Sequence, residues 1–216
     1  ADPRGSVTVV DVSALTSEVV GFDAFDARRD ELASAGIVLK KGVDPSTDLE
    51  PEYIAVSGGK AYVTLQENNA IAVLDLASRT FDGIYSAGFE DYSVTPVDID
   101  KKDDAYAPKT YGGLMGIRMP DAIAAFQAEG KTYLVTANEG DAREWGDEEL
   151  GTDYLNEYEV DFDEAGAASP TGAITAENSG LTGKVVFFQA EDFDGLDESK
   201  DYLFGGRTFT VYEAGE

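Results

Sequence analysis

Aspartates separated by a single residue are the clearest candidate cation ligands in this sequence. The pairs are Asp98 with Asp100, Asp161 with Asp163, and Asp192 with Asp194. Alternate residues of an extended segment point the same way, so Asp192 and Asp194 can face one ion, and Gly195 would let the chain turn back to bring in Asp197. Calcium binds roughly six to eight oxygen atoms and needs neither His nor Cys. The sequence therefore predicts a calcium site at Asp192, Asp194 and Asp197, with Asp98 and Asp100 as further ligands; the alternative is a solvated acidic loop.

A second group of carboxylates and amides follows two similar segments of the chain. Glu67, Asn68 and Asn69 come after the first segment, and Asn138, Glu139, Gly140 and Asp141 come after the second. If the segments are equivalent strands of a propeller, their ends lie on one face. We therefore predict that Glu67, Asn68, Glu139 and Asp141 line one concave, metal-binding surface. Glu52 and Asp121 form a similar pair, although such residues often cap turns or bond to neighbouring backbone.

The same carboxylates allow two kinds of hydrolysis to be considered. Paired carboxylates cleave glycosides, and Glu67 with Glu139 or Asp141 is the pairing that the spacing offers. Calcium-dependent hydrolysis of phosphate esters needs acidic metal ligands and basic residues that hold the phosphate. Glu139 and Asp141 are the candidate acidic residues for this reaction, and Arg118 and Arg143 are the candidate phosphate ligands. The sequence contains no other phosphatase motif.

Composition excludes several common kinds of site. The 216 residues include no Cys and no His, which removes thiolate nucleophiles, Ser-His-Asp triads and ordinary zinc centres. Sixteen Lys and Arg oppose 43 Asp and Glu, and the formal net charge is −27. Such a surface argues against nucleic acid and anionic membranes and favours cations or cationic partners; the alternative is a solvated acidic coat. No apolar run is long enough to insert into a membrane.

Short β-branched and aromatic runs separated by polar turns indicate an all-β fold. The first runs lie at 6–12 and 18–22, and four more form an antiparallel meander at 53–56, 61–65, 70–76 and 80–85. Residues 26–36 differ, because Asp26 is a suitable N-cap and Gly36 a suitable stop for one short surface helix. Residues 88–119 and 140–183 are rich in Gly and acidic residues and are predicted to be long acidic loops.

An internal repeat predicts how the strands are arranged. The segment from Pro51 to Glu67 returns between Pro120 and Glu139 with the shared frame P-[ED]-x-I-A, G-K-x-Y, V-T-x-x-E. A unit of four short strands joined by turns is a β-propeller blade. The prediction is a single propeller segment with a partial blade at 5–25, a helix at 26–36, a blade at 51–87, a loop at 88–119, and a blade at 120–214 interrupted by an insertion at 140–206. The alternative is an ordinary β-sandwich.

This arrangement gives roughly two and a half blades, whereas a closed propeller needs about four or more. We therefore expect the rest of a longer parent chain, an oligomer partner or the 140–206 insertion to cover the open edges. The third strand of the interrupted blade is predicted at 207–213.

Three motifs of the chain, in order, resemble the choice-of-anchor I family. They read DLEPEYIAVSGGKAYVTLQENNAIAVLDLAS, MPDAIAAFQAEGKTYLVTANEGDARE and YLFGGRTFTVYEA. That family includes bacterial surface proteins labelled alkaline phosphatase-like and mesenchyme-specific cell-surface glycoproteins linked to biomineralisation. The resemblance implies an extracellular or surface-anchored propeller of about seven blades, with a binding, structural or adhesive role. With the acidic motifs above, it favours a non-catalytic, calcium-binding module; the alternative is a calcium-dependent phosphoesterase of the alkaline phosphatase or phytase type.

Overall fold

A four-stranded antiparallel meander carries the core of the computed structural model, which describes residues 3–99, 105–145 and 154–215. Its strands are β4 (Ile54–Ser57), β5 (Lys60–Leu65), β6 (Ala70–Asp75) and β7 (Thr80–Ser86). The chain can reverse tightly between them because Gly58, Gly59 and Asn69 adopt positive φ angles. The predicted meander at 53–85 is confirmed.

One face of the meander packs against the N-terminal part of the chain. There β1 (Ser6–Asp11) and β2 (Thr16–Gly21) form an antiparallel hairpin. Val7 and Phe22 belong to the same buried cluster as Val63 and Leu74 of the meander, and the ring of Phe22 stacks on that of Phe81 with 4.4 Å between centroids. Burial of these apolar side chains joins the hairpin to the meander.

The predicted helix at 26–36 is divided into two short pieces. A 3-10 helix covers Asp23–Arg28, and α1 covers Arg29–Ser34. Gly36 adopts φ +85° and ends this segment as expected. Asp26 is not an N-cap, because its carboxylate instead accepts hydrogen bonds from the N–H and hydroxyl of Ser46.

Further short helices lie outside the predicted region. They are α2 (Pro45–Asp48), α3 (Ala176–Ser179) and a 3-10 turn at Ala190–Asp192. The fold is therefore all-β with several helical turns instead of one helix.

The segment predicted as an interrupted blade forms a three-stranded sheet on the other face of the meander. Its strands are β10 (Pro120–Ala128), β11 (Lys131–Asn138) and β18 (Thr208–Glu213), in that order. Leu134 lies in one buried cluster with Tyr62 and Ile71 of the meander. The predicted third strand at 207–213 is confirmed, although about seventy residues separate it in sequence from its partner β11.

The two repeats do not superpose residue for residue. Ile54 pairs with Val63 across β4 and β5, whereas Ile123 pairs with Thr136 across β10 and β11. The V-T-x-x-E frame predicted that Thr136 takes the place of Thr64. In the structure Thr136 takes the place of Val63, which is a displacement of one residue. Because neighbouring residues of a strand face opposite sides, this displacement means that Glu139 does not occupy the position of Glu67.

The segments predicted as acidic loops contain strands as well as turns. Within the predicted loops lie β8 (Phe89–Asp91), β9 (Leu114–Ile117), β12 (Glu144–Trp145), β13 (Tyr154–Leu155) and β14 (Glu157–Asp161). The rest of the predicted insertion at 140–206 contains β15 (Lys184–Phe188), β16 (Phe193–Asp194) and β17 (Asp201–Phe204). A further buried cluster that includes Leu114, Phe187 and Leu203 joins β9, β14, β15 and β17.

Long-range pairs connect the insertion to the rest of the fold. Strand β17 pairs in parallel with β9, and β16 pairs with β3 (Leu39–Lys40) near the N-terminal half. Within the described ranges, the strands form one four-stranded and one three-stranded blade-like sheet and smaller sheets, without a closed propeller. No helix in the described part of the chain is long and apolar enough to span a membrane.

Candidate functional site

An acidic cleft of about 760 Å³ lies where the ends of the meander meet the segment that follows β11. Seven acidic residues line it: Asp48, Glu50, Glu52, Glu67, Asp141, Glu144 and Glu157. Three basic residues also line it: Arg4, Lys40 and Arg143. The structure thus brings Glu67 and Asp141, which were predicted to share a concave surface, into one cleft. Its volume falls within the roughly 300–1,000 Å³ of small-molecule sites.

A buried network of polar groups supports the cleft. Asp48, at the end of α2, accepts hydrogen bonds from the Lys40 N–H at 3.0 Å and the Asn68 side-chain amide at 3.2 Å. The amide of Asn68 also donates to the Val38 carbonyl at 3.0 Å, and its oxygen accepts from the Glu50 N–H at 3.2 Å. Asn68 was predicted as a metal ligand, but its amide groups bond to protein and position Asp48 and Glu50.

Arg143 is the buried cation of this network. The residue is only 4% exposed, and its Nη1 forms an ion pair with Asp48. Its guanidinium lies over the Phe193 ring at 5.4 Å, and its backbone N–H donates to the Asn156 side-chain oxygen at 2.7 Å. The Nε and Nη2 of Arg143 and the Nδ2 of Asn156 are buried without a hydrogen-bond partner among the residues that the structure describes. A buried donor without an acceptor lowers the stability of the folded state, so these three nitrogen atoms destabilise the fold around Arg143.

Glu67 contributes an acceptor that is buried and unsatisfied in the same way as these donors. Its Oε2 is also buried, and no described residue donates a hydrogen bond to it. Burial, together with repulsion from Glu50 and Glu52, raises the pKa of Glu67 to about 7, although a hydrogen bond from its own backbone and the nearby charge of Arg143 oppose the shift. Burial also raises the pKa of Glu52, to which Asp121 and Asp141 add repulsion. The carboxylates of the cleft are therefore close enough to repel one another, and a bound cation or proton would relieve that repulsion.

The other residues predicted in the repeat lie elsewhere. Glu139 is exposed and does not line the cleft, because the one-residue displacement described above moves it away. Arg118 donates from Nε to Glu90 at 2.8 Å and from Nη1 to the Ala87 carbonyl at 2.9 Å. Both arginines predicted to hold phosphate are thus ion-paired with carboxylates of the protein.

The Asp192 loop turns at Gly195, as predicted, with φ +91°. The carboxylate of Asp194 pairs with Arg29 at 2.6 Å. The Asp197 carboxylate accepts hydrogen bonds from the hydroxyl and N–H of Ser199, and these bonds lower its pKa. The backbone carbonyl of Asp192 accepts from the Lys41 N–H at 2.9 Å.

Of the remaining predicted pair, Asp98 accepts a hydrogen bond from the Ala107 N–H at 2.8 Å, and Asp100 lies outside the described residues. Among residues 3–99, 105–145 and 154–215, no three acidic side chains are already grouped as metal ligands. The calcium sites therefore stay a prediction.

Sequence reasoning missed the contributions of Asp48 and Glu50 to the cleft. Both lie in the run DPSTDLEPE, immediately before the repeat. The density of carboxylates in that run was a usable indication, but their convergence with Asp141 and Arg143 depends on contacts distant in sequence.

Comparison with known proteins gives one match. A profile of the choice-of-anchor I domain matches residues 1–216. No curated protein and no solved structure matches the chain. The match agrees with the family that the three sequence motifs resemble, and it lends no support to the alkaline phosphatase-like label.

Proposed function

The chain belongs to the choice-of-anchor I domain family, and from this membership we propose that it is a non-catalytic binding module of an extracellular or surface-anchored protein. A choice-of-anchor domain points in general to a protein of the cell surface. The finer part of the proposal is that the acidic cleft is the binding site and that its ligand is calcium. Roles in adhesion or biomineralisation remain predictions from the family resemblance.

The observation that carries the proposal is the excess of acidic over basic residues in the cleft, seven against three. Glu67 has a buried oxygen without a hydrogen-bond partner in the described part of the chain, and Glu50 and Glu52 repel its charge. A divalent cation would coordinate these oxygens and remove the repulsion. Calcium suits the ligands best, because the residues offer only oxygen atoms and the sequence has no His or Cys.

The proposal is tested by calorimetric titration of the protein with calcium at constant ionic strength. We expect saturable binding that Glu52→Gln weakens about tenfold, since each removed carboxylate takes away a ligand charge. Glu177→Gln is the matched control, because Glu177 is exposed on α3, outside the cleft. Binding that is absent, or that falls equally in both variants, would show that calcium only screens the acidic surface.

The phosphoesterase alternative has weaker support. Phosphate needs free cations, whereas Arg118 and Arg143 already pair with Glu90 and Asp48. The alternative predicts turnover of a chromogenic phosphate monoester that requires calcium and disappears in Asp141→Asn. Absence of turnover at saturating calcium would leave the binding module as the better description.

A further inference from the structure

The outer edge of β18 lacks the neighbour that the corresponding strand of the meander has. Strand β18 follows β11 in its sheet as β6 follows β5 in the meander, and the sequence VYEA at 211–214 resembles VLDL at 73–76. In the meander, β7 pairs with the far side of β6. No strand in the described part of the chain pairs with the far side of β18, so this sheet ends in an open edge.

The register of β18 determines which of its backbone groups lie on that edge. The Ala214 N–H donates a hydrogen bond to the Thr132 carbonyl at 2.9 Å. Alternate residues of an antiparallel strand direct their N–H and C=O groups to the same neighbour, so Phe209, Val211 and Glu213 direct theirs away from β11. Phe209 is 73% exposed and Val211 is 50% exposed, and another polypeptide can therefore reach this edge.

Strand β18 also lacks the features that protect the outer edge of the meander. There β7 has one residue too many opposite Val73 and Leu74, which leaves Asp82 as a charged bulge. Bulges and charges on an edge strand hinder the addition of a further strand. In contrast, β18 pairs regularly along its whole length and contains neither Gly nor Pro. Its single charged residue, Glu213, forms an ion pair with Lys131.

We propose that β18 binds an extended segment of a partner polypeptide, which adds antiparallel to its outer edge in the place that β7 has beside β6. Hydrogen bonds between the main chains hold the segment, and its alternate side chains lie beside Phe209 and Val211, so these side chains are apolar. The formal net charge of −27 favours a neutral or basic segment. No residue of β18 lines the acidic cleft, and the inference is therefore independent of the proposed calcium site.

Fluorescence anisotropy at low ionic strength tests the inference with the labelled, capped peptide Lys-Thr-Val-Thr-Val-Thr-Lys. We expect saturable binding that Val211→Pro weakens about tenfold or more, because proline removes the outward N–H without removing a bond to β11. Val211→Thr is the matched control, since it keeps the N–H, and it should bind within about threefold of the wild type. The same peptide N-methylated at its Thr and Val residues has the same charge but lacks the N–H donors, so it should bind about tenfold more weakly or less.

Backbone hydrogen exchange in the wild type keeps the test valid if Val211→Pro does not fold. The peptide should slow exchange of the Phe209 and Val211 amides about tenfold or more and leave that of Thr210, which faces β11, nearly unchanged. Absence of binding, equal binding of the N-methylated peptide, or binding that slows neither amide would overturn the inference. Slow exchange of the Val211 amide without peptide, together with a doubled mass, would show that a second copy occupies the edge and would overturn the assignment of a partner segment.

Discussion

At the scale of single residues, Glu67 makes stability depend on pH near neutrality. Burial raises the pKa of Glu67 from 4.5 to about 7. Between these values the folded protein keeps a proton that the unfolded chain has released, so the free energy of unfolding falls as pH rises through this range. We expect a loss of about 3 kcal/mol at most between pH 5 and pH 8. Urea unfolding at several pH values measures it.

Substitution isolates the contribution of Glu67. Glu67→Gln should remove most of the loss and be more stable than the wild type at pH 8; the raised pKa of Glu52 leaves a smaller slope in the same direction. Asp11 and Asp75 do not interfere, because backbone and serine hydrogen bonds lower their pKa values. Their stabilisation is present above their unfolded pKa values and is lost only as pH falls below about 4. A variant with the wild-type pH profile would contradict the account.

The ion pair beneath the cleft gives a second prediction for single residues. Asp48 and Arg143 are both nearly fully buried, so Asp48→Ala would leave an unpaired buried charge and should destabilise the fold by about 3–5 kcal/mol. Lys184→Ala, which breaks the exposed pair with Glu159, should cost less than about 1 kcal/mol. Chemical denaturation compares the two, and equal losses would mean that Asp48 is not the buried anchor described here.

At the scale of elements, the sequence predicted the strands that local turns define. Gly58, Gly59 and Asn69 adopt the positive φ angles that their types allow, and β4 to β7 follow within a few residues of the predicted ranges. Strands β9 and β17 were missed because each is four residues long and is stabilised by a parallel partner far away in sequence. Local patterns carry no information about such a partner.

The contrast between local patterns and contacts distant in sequence also explains which residues of the candidate site could be predicted. Glu67 and Asp141 were identified because the repeat places them at strand ends, and both line the cleft. Glu139 was placed wrongly because a strand motif displaced by one residue faces the opposite side. The ion pair of Asp48 with Arg143 joins residues 95 positions apart, and no local spacing predicts it.

A close approach of two glycines fixes the segment that leads into the cleft. Gly140 and Gly205 have φ angles of +82° and +72°, and a Cβ on Gly140 would collide with the Gly205 backbone. Gly140→Ala should therefore cost more than the roughly 1 kcal/mol of an ordinary positive-φ substitution, and it should weaken calcium binding by displacing Asp141. Gly172→Ala is the control, because Gly172 has φ +76° but open space around it. Thermal unfolding of both variants separates collision from backbone strain, and equal losses would exclude the collision.

At the scale of the whole molecule, an exposed apolar surface favours self-association, and the negative net charge opposes it. The sheet of β10, β11 and β18 buries Leu134 and Tyr212 against the meander, while its other face presents apolar side chains to solvent. These include Phe209 at 73%, Val211 at 50% and Phe126 at 45% exposure. Such a face favours pairing with another sheet. The formal net charge of −27 opposes the approach of a second copy.

This opposition predicts self-association that increases with salt. At low ionic strength, repulsion between the acidic surfaces should keep the protein monomeric. At about 0.15 M salt and above, the Debye length is about 8 Å or less, so repulsion weakens while the apolar attraction between the exposed faces remains. Light scattering across salt concentrations should show a rising average mass.

The double substitution Phe209→Thr with Val211→Thr should suppress the rise, because it removes apolar area from the face and retains β-branched residues suited to a strand. Val10→Thr with Val12→Thr, on the exposed side of the β1–β2 hairpin, should leave it unchanged. A constant monomer mass at high salt, or equal suppression by both double substitutions, would show that this face does not drive association.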